Sequence, residues 1–80
     1  MPRVLTQGGF RVMIFPNDHA PAHVHVFDAD GEVLINLGGE DEGPSIRENR
    51  VMRMRNTRRA LRLVEDHQEM LLAEWRRWHG

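Results

Sequence analysis

Within the eight residues from Asp18 to His25 the chain places three imidazoles and one carboxylate: Asp18, His19, His23 and His25. Two chemistries suit such a set. Neutral imidazole is a good ligand for zinc, nickel, copper or iron. His19, His23 and His25 could therefore hold a divalent transition metal, zinc or nickel, with Asp18 as an alternative third ligand and one position left open. Two imidazoles near neutral pKa can also trade a proton, one as base and one as acid. Acting on RNA, His23 and His25 would take those parts. His19 or Asp18 would orient them, and Arg11, Arg47 or Arg50 would neutralise charge building on the phosphate. The bland alternative is a set of hydrogen-bonded histidines on a polar surface or an interface.

The pattern around these residues says what must position them. His23 to Asp28 alternates as a strand, so His23 and His25 point the same way, with Cα atoms roughly 7 Å apart. Pro21 stiffens the approach to that strand. Phe10 to Phe15 alternates as an earlier strand after the turn signal Gly8-Gly9, and Pro16-Asn17-Asp18 breaks it. Asp30-Gly31 reads as a two-residue hairpin loop. That loop would pair Ala29 with Glu32, Phe27 with Leu34, Val26 with Ile35, His25 with Asn36 and Val24 with Leu37. Val24, Val26, Val33, Ile35 and Leu37 then share an apolar face, and His23, His25, Phe27, Leu34 and Asn36 share the other. The histidines are expected to face solvent, away from the core.

Gly38 to Pro44 reads as a loop, and Ile46 to about Met52 as a weak fourth strand. From between Met54 and Arg58 to about Trp78 the apolar residues Ala60, Leu61, Val64, Leu71, Trp75 and Trp78 recur at helical spacing. Asn56 or Thr57 is the expected cap, and Trp75 and Trp78 the expected clamps on the sheet. The fold class expected is α+β: a small antiparallel sheet of three to four strands packed on one long C-terminal helix. One helix covers one sheet face. Met13, Phe15, Phe27 and Leu34 on the other suggest a surface for a homo-oligomer or another partner.

Eighty residues make a single domain, 1–80, with a thin core. The absence of cysteine excludes disulfides and thiolate metal sites. A formal net charge of −1 at pH 7 gives no global signal for nucleic acid or membrane. Locally the chain is dipolar. All eleven basic residues are Arg, seven of them lie from Arg47 to Arg62, and Glu40-Asp41-Glu42 precedes them. Met1-Pro2-Arg3-Val4 carries no apolar signal-peptide core, and no apolar run approaches membrane-spanning length, so a cytoplasmic location is expected.

The strand ending in an aromatic, then Asn17-Asp18-His19-Ala20-Pro21-Ala22-His23-Val24-His25-Val26, then a hairpin, resembles the small bacterial family known as domain of unknown function 4160. The pattern D-H-x-P-x-H-V-H-V is met at every fixed position. Ser45-Ile46-Arg47-Glu48-Asn49-Arg50, and Leu71-Leu72 and Trp75 before His79-Gly80, add to the likeness, which covers nearly the whole chain. One departure stands out: the resemblance leads us to expect Gly-Met-Ser where this chain has Val51-Met52-Arg53. It also implies a two-gene, toxin–antitoxin-like module in which the chain binds a small cognate partner protein; the action on RNA is expected from the histidines and arginines, not from the resemblance.

Overall fold

Gly8-Gly9 joins two strands rather than merely preceding one. Both glycines take left-handed φ, 59° and 84°, the values a type I′ hairpin needs and that a Cβ opposes. The computed structural model describes residues 3–79. In it β1 (Arg3–Gln7) and β2 (Phe10–Met13) pair antiparallel, with Gln7 opposite Phe10. β3 (His23–Phe27), β4 (Glu32–Asn36) and β5 (Ser45–Arg50) continue the meander. The sheet order is β1-β2-β3-β4-β5, with every neighbouring pair antiparallel.

Five strands replace the expected three to four. The two outermost ones are weakly patterned because an edge strand buries little. Val4 and Leu5 of β1 are only partly buried against the core, and all six residues of β5 are exposed.

The expected single long helix is two: α1 (Met54–Asp66) and α2 (Gln68–His79). The break falls at His67, where φ is −120° and the His67 N–H bonds back to Val64 O at 3.1 Å. Asp66 and His67 are weak helix formers. Across the break the Gln68 amide donates to the carbonyls of Leu37 (2.7 Å) and Glu42 (3.0 Å) in the β4–β5 connection. Leu71 and Trp75 of α2 reach the core, whereas Trp78, the other expected clamp, is 44% exposed and lies outside the core cluster.

The core lies on one sheet face. Val12, Ile14, Val24, Val26, Val33, Ile35 and Leu37 are fully buried there with Ala60 and Val64 of α1 and Leu71 of α2. Burying each such aliphatic side chain contributes about 1.5–3 kcal/mol.

The β3–β4 register differs from the expected one by two residues: Phe27 faces Glu32, His25 faces Leu34 and His23 faces Asn36. The loop is longer because Asp28 builds it. Its Oδ1 accepts from the N–H groups of Asp30 (2.8 Å) and Gly31 (2.7 Å), and its own N–H donates to Gly31 O at 3.1 Å. A shift of two, unlike a shift of one, leaves both faces intact.

Between β5 and α1 the chain turns on Val51, whose φ of 69° is the one positive value at a non-glycine among the described residues. Gly31 lies against this turn: a Cβ there would come 2.6 Å from the Val51 carbonyl carbon and 2.7 Å from Met52 N. Asn49 closes the turn, accepting from Met52 N–H at 2.9 Å and donating to Met52 O at 3.0 Å. Arg53 occupies the N-cap of α1 and makes no side-chain cap bond. Asn56 and Thr57, the expected caps, lie inside the helix, Asn56 donating to Asp28 and the Thr57 hydroxyl to Arg53 O. Among the described residues no helix is long and apolar enough to cross a membrane.

Candidate metal centre

His23 and His25 project from the face of β3 opposite the core, as two-residue spacing on a strand requires. They are nevertheless buried, at 4% and 8% exposure. The expectation of solvent-facing rings is corrected by what closes over them. Trp75 of α2, a member of the core cluster, also sits 5.3 Å from the His23 ring. Phe15 meets the His25 ring edge-on at 4.7 Å, and Phe27 stacks at 6.4 Å. Met13 and Leu34, two of the side chains that suggested an outward docking face, are 7% and 6% exposed.

Asp18 reaches the two rings from the β2–β3 loop. Phe15 to Asp18 forms a β-turn, closed by Asp18 N–H to Phe15 O at 3.0 Å, with Pro16 at the position that favours proline. His79, stacked on Trp75 at 3.7 Å, holds the start of that loop with Nε2 3.2 Å from Phe15 O. The Ala20–Pro21 peptide that leads into β3 is cis.

The ring nitrogens divide into two sets. His25 Nδ1 lies 2.7 Å from Glu32 Oε2, and His23 Nδ1 lies 2.9 Å from Pro21 O. Both outer partners are acceptors. A proton on each Nδ1 leaves a lone pair on each Nε2, and both Nε2 atoms converge on Asp18 Oδ2, at 3.0 Å from His25 and 3.4 Å from His23. Ligating atoms of these three residues all lie within 4.8 Å of one another. For bonds of about 2.0–2.1 Å, a tetrahedral ion separates its ligands by about 3.3 Å, so both Asp18 edges already match. The outer partners, Glu32 and the Pro21 carbonyl, are of the kind that fix a ligating histidine's tautomer and orientation.

Burial pushes the His23 imidazole below its ordinary pKa; the Pro21 carbonyl and Asp18 oppose that shift, and Arg47 and His25 add to it. A neutral ring is the form a metal requires.

The other residues singled out by sequence fall around this trio. His19 lines the same cleft but stays exposed and is not among the three convergent groups. Arg47 and Arg50 line it too. Arg50 is held by Glu48 (2.7 Å) and approaches Glu32 at 3.6 Å. Arg47 places Nη1 3.0 Å from His23 Nδ1. Arg11 lies elsewhere, its guanidinium 5.8 Å from the centre of the Phe27 ring.

Sequence reasoning missed Glu32 and Trp75 as parts of the site. Glu32 was legible only through the register. With Phe27 opposite Glu32 it sits one pleat from His25 on the same face, whereas the two-residue loop would carry it past Phe27 to a place opposite Ala29.

The family model described as Domain of unknown function (DUF4160) matches residues 9–76. Neither a curated protein nor a solved structure matches the chain.

Proposed function

We propose that the chain, which belongs to the DUF4160 family, is a metal-binding domain in which Asp18, His23 and His25 hold a divalent transition ion, zinc or nickel. One observation carries this reading: both Nε2 atoms turn to the same carboxylate oxygen, at 3.0 and 3.4 Å, while each Nδ1 faces a separate acceptor. The cleft lined by Asn17, His19, Arg47 and Glu48 gives the trio a side open to ligands. An ion there would supply Lewis acidity toward whatever enters from that side.

The test is metal analysis of protein purified without an affinity tag, followed by titration of nickel into the metal-free chain. One ion per chain, lost in Asp18→Asn and His25→Ala, is the expected result. Folded wild-type protein that takes up neither zinc nor nickel at micromolar concentration would remove the reading. Asp18→Asn keeps shape and tests the site even where His25→Ala disturbs packing.

A second reading is favoured by the contact of Arg47 with His23 inside the same cleft. In it the chain belongs to a toxin–antitoxin-like module with a small cognate partner protein. His23 and His25 then act as base and acid on RNA, and Arg47 clamps the phosphate. Growth arrest on expression, relieved by His25→Ala and by the co-expressed partner protein, would support it, and metal-free protein would have to retain the activity.

A further inference from the structure

His23 Nδ1 stands between two partners that cannot both be satisfied. Pro21 O, at 2.9 Å, only accepts, and the Arg47 guanidinium, at 3.0 Å, only donates. With its proton on Nδ1 the neutral ring bonds Pro21 and turns a lone pair toward Asp18. With its proton on Nε2 the ring accepts from Arg47 and offers Asp18 an N–H across 3.4 Å. Only the first arrangement can bind a metal, and it leaves Arg47 without its ring partner. The ring's charge is the same in both.

Two further features mark Arg47. The β4–β5 ladder pairs Leu34 with Glu48 and Ile35 with Ile46, so Arg47 is the extra residue of a bulge. Bulges re-aim side chains, and they concentrate beside functional sites. Unlike Arg50, Arg47 makes no salt bridge among the described residues. Its fork of donors is therefore free of a carboxylate, on an exposed residue at the mouth of the cleft.

On the metal reading above, we infer that Arg47 is a binding residue for a small tetrahedral oxyanion of the phosphate class, held beside the ion, and that metal binding at His23 releases Arg47 to take it. Metal and oxyanion then bind with positive coupling. The fork geometry suits phosphate oxygens bidentately. Free phosphate and the phosphodiester of a nucleic acid present the same oxygens, and the experiment separates them.

The measurement is nickel affinity by calorimetry on the metal-free full chain, with and without inorganic phosphate, for wild type and Arg47→Gln. Phosphate should tighten nickel binding to the wild type by about fivefold or more, the usual lower range of coupling between sites. Arg47→Gln should bind nickel more tightly than wild type in phosphate-free buffer, because the shorter, uncharged amide no longer brings the guanidinium donor to His23 Nδ1 that supports the competing Nε2–H arrangement. It should show no response to phosphate. A wild-type affinity unmoved by phosphate, an equal response in Arg47→Gln, or no gain in that variant without phosphate would each overturn the inference. Those outcomes leave the metal site standing, since nickel still binds and still depends on Asp18. Failure of the wild type to bind nickel overturns both. Dimethyl phosphate in place of inorganic phosphate reads the source: equal coupling indicates a diester, and coupling to inorganic phosphate alone indicates the free anion.

Discussion

His25 Nδ1 lies 2.7 Å from Glu32 Oε2, so a residue from the neighbouring strand decides which nitrogen of His25 faces Asp18. Removing that acceptor frees the ring to rotate or to change tautomer. Glu32→Ala should weaken zinc or nickel binding by about tenfold or more, the usual penalty for losing an outer partner of a ligating histidine. Glu32→Gln should lose less, because its amide oxygen can still accept the Nδ1 proton. Calorimetric titration of both variants checks the order. Equal affinities across wild type, Gln and Ala would show that Glu32 does not orient the ring.

The burial that lowers the His23 pKa also makes stability depend on pH in the metal-free chain. The unfolded ring takes up a proton near its ordinary pKa of 6.5 while the folded ring still resists it. In that window the unfolded state binds more protons, so stability is full above about pH 6.5 and is lost as pH falls toward the folded value. Asp28 and Glu48 are also held below their ordinary values, so their losses come further into acid, below 3.8 and 4.5. Urea midpoints are compared at about pH 7.5 and 5.5, both above the Asp28 and Glu48 losses, and the His23→Gln variant separates the His23 share. The midpoint should fall on acidification in the wild type and fall less in His23→Gln.

What was legible in the sequence followed from side-chain period. Alternation alone put Val24 and Val26 on the core face and His23 and His25 on the other; the Asp18-to-His25 segment offered four candidate groups, of which His19, the expected third ligand, is not among those that converge and Asp18, its alternative, is. What was not legible depended on loops and long-range contact. Asp28 lengthens a hairpin that Asp30-Gly31 alone would make short, and that moves Glu32 next to His25. The break at His67 lets α2 bring Trp75 to His23, which no helical stripe announces. β5 buries no residue, so its pattern is nearly silent although it supplies Arg47.

The departure Val51-Met52-Arg53 has a physical reading at both ends. Val51 holds φ at 69°, where the resemblance leads us to expect Gly and where a β-branched residue is strained. Arg53 is the N-cap of α1 with no side-chain bond to the helix, where Ser is expected. Relief of backbone strain is worth about 1–3 kcal/mol, less the roughly 0.5–1 kcal/mol of chain entropy that glycine adds. Val51→Gly should therefore stabilise by about 1 kcal/mol, and Arg53→Ser by a similar amount through its new cap. In a domain this small, each kcal/mol raises Tm by about 4–8 °C. Thermal melts of the two single variants test this, and a Val51→Gly protein that melts below wild type would show that the turn carries no strain.

The Asp28 side chain makes three hydrogen bonds, and all of them are structural. Oδ1 takes the N–H groups of Asp30 and Gly31, and Oδ2 takes the Asn56 amide of α1 at 2.8 Å. Desolvation opposes ionisation here, but these donors outweigh it and hold the carboxyl below its ordinary pKa. Asp28→Ala should cost about 2 kcal/mol, the scale of losing charged hydrogen bonds at a buried acceptor, read as a lower urea midpoint. It should also weaken metal binding, although Asp28 contributes no atom to the cluster. Without its carboxylate the four-residue loop loses the bonds that distinguish it from the two-residue loop that Asp30-Gly31 could form, and the shorter loop moves β4 by two residues while keeping both faces in place. Glu32 would then leave His25. The decisive comparison is Asp28→Ala against Glu32→Ala. Metal affinity lost in the first should not fall further in the double variant, because both changes remove the same Glu32–His25 contact; fully additive losses would mean that Asp28 acts on the site by some other route.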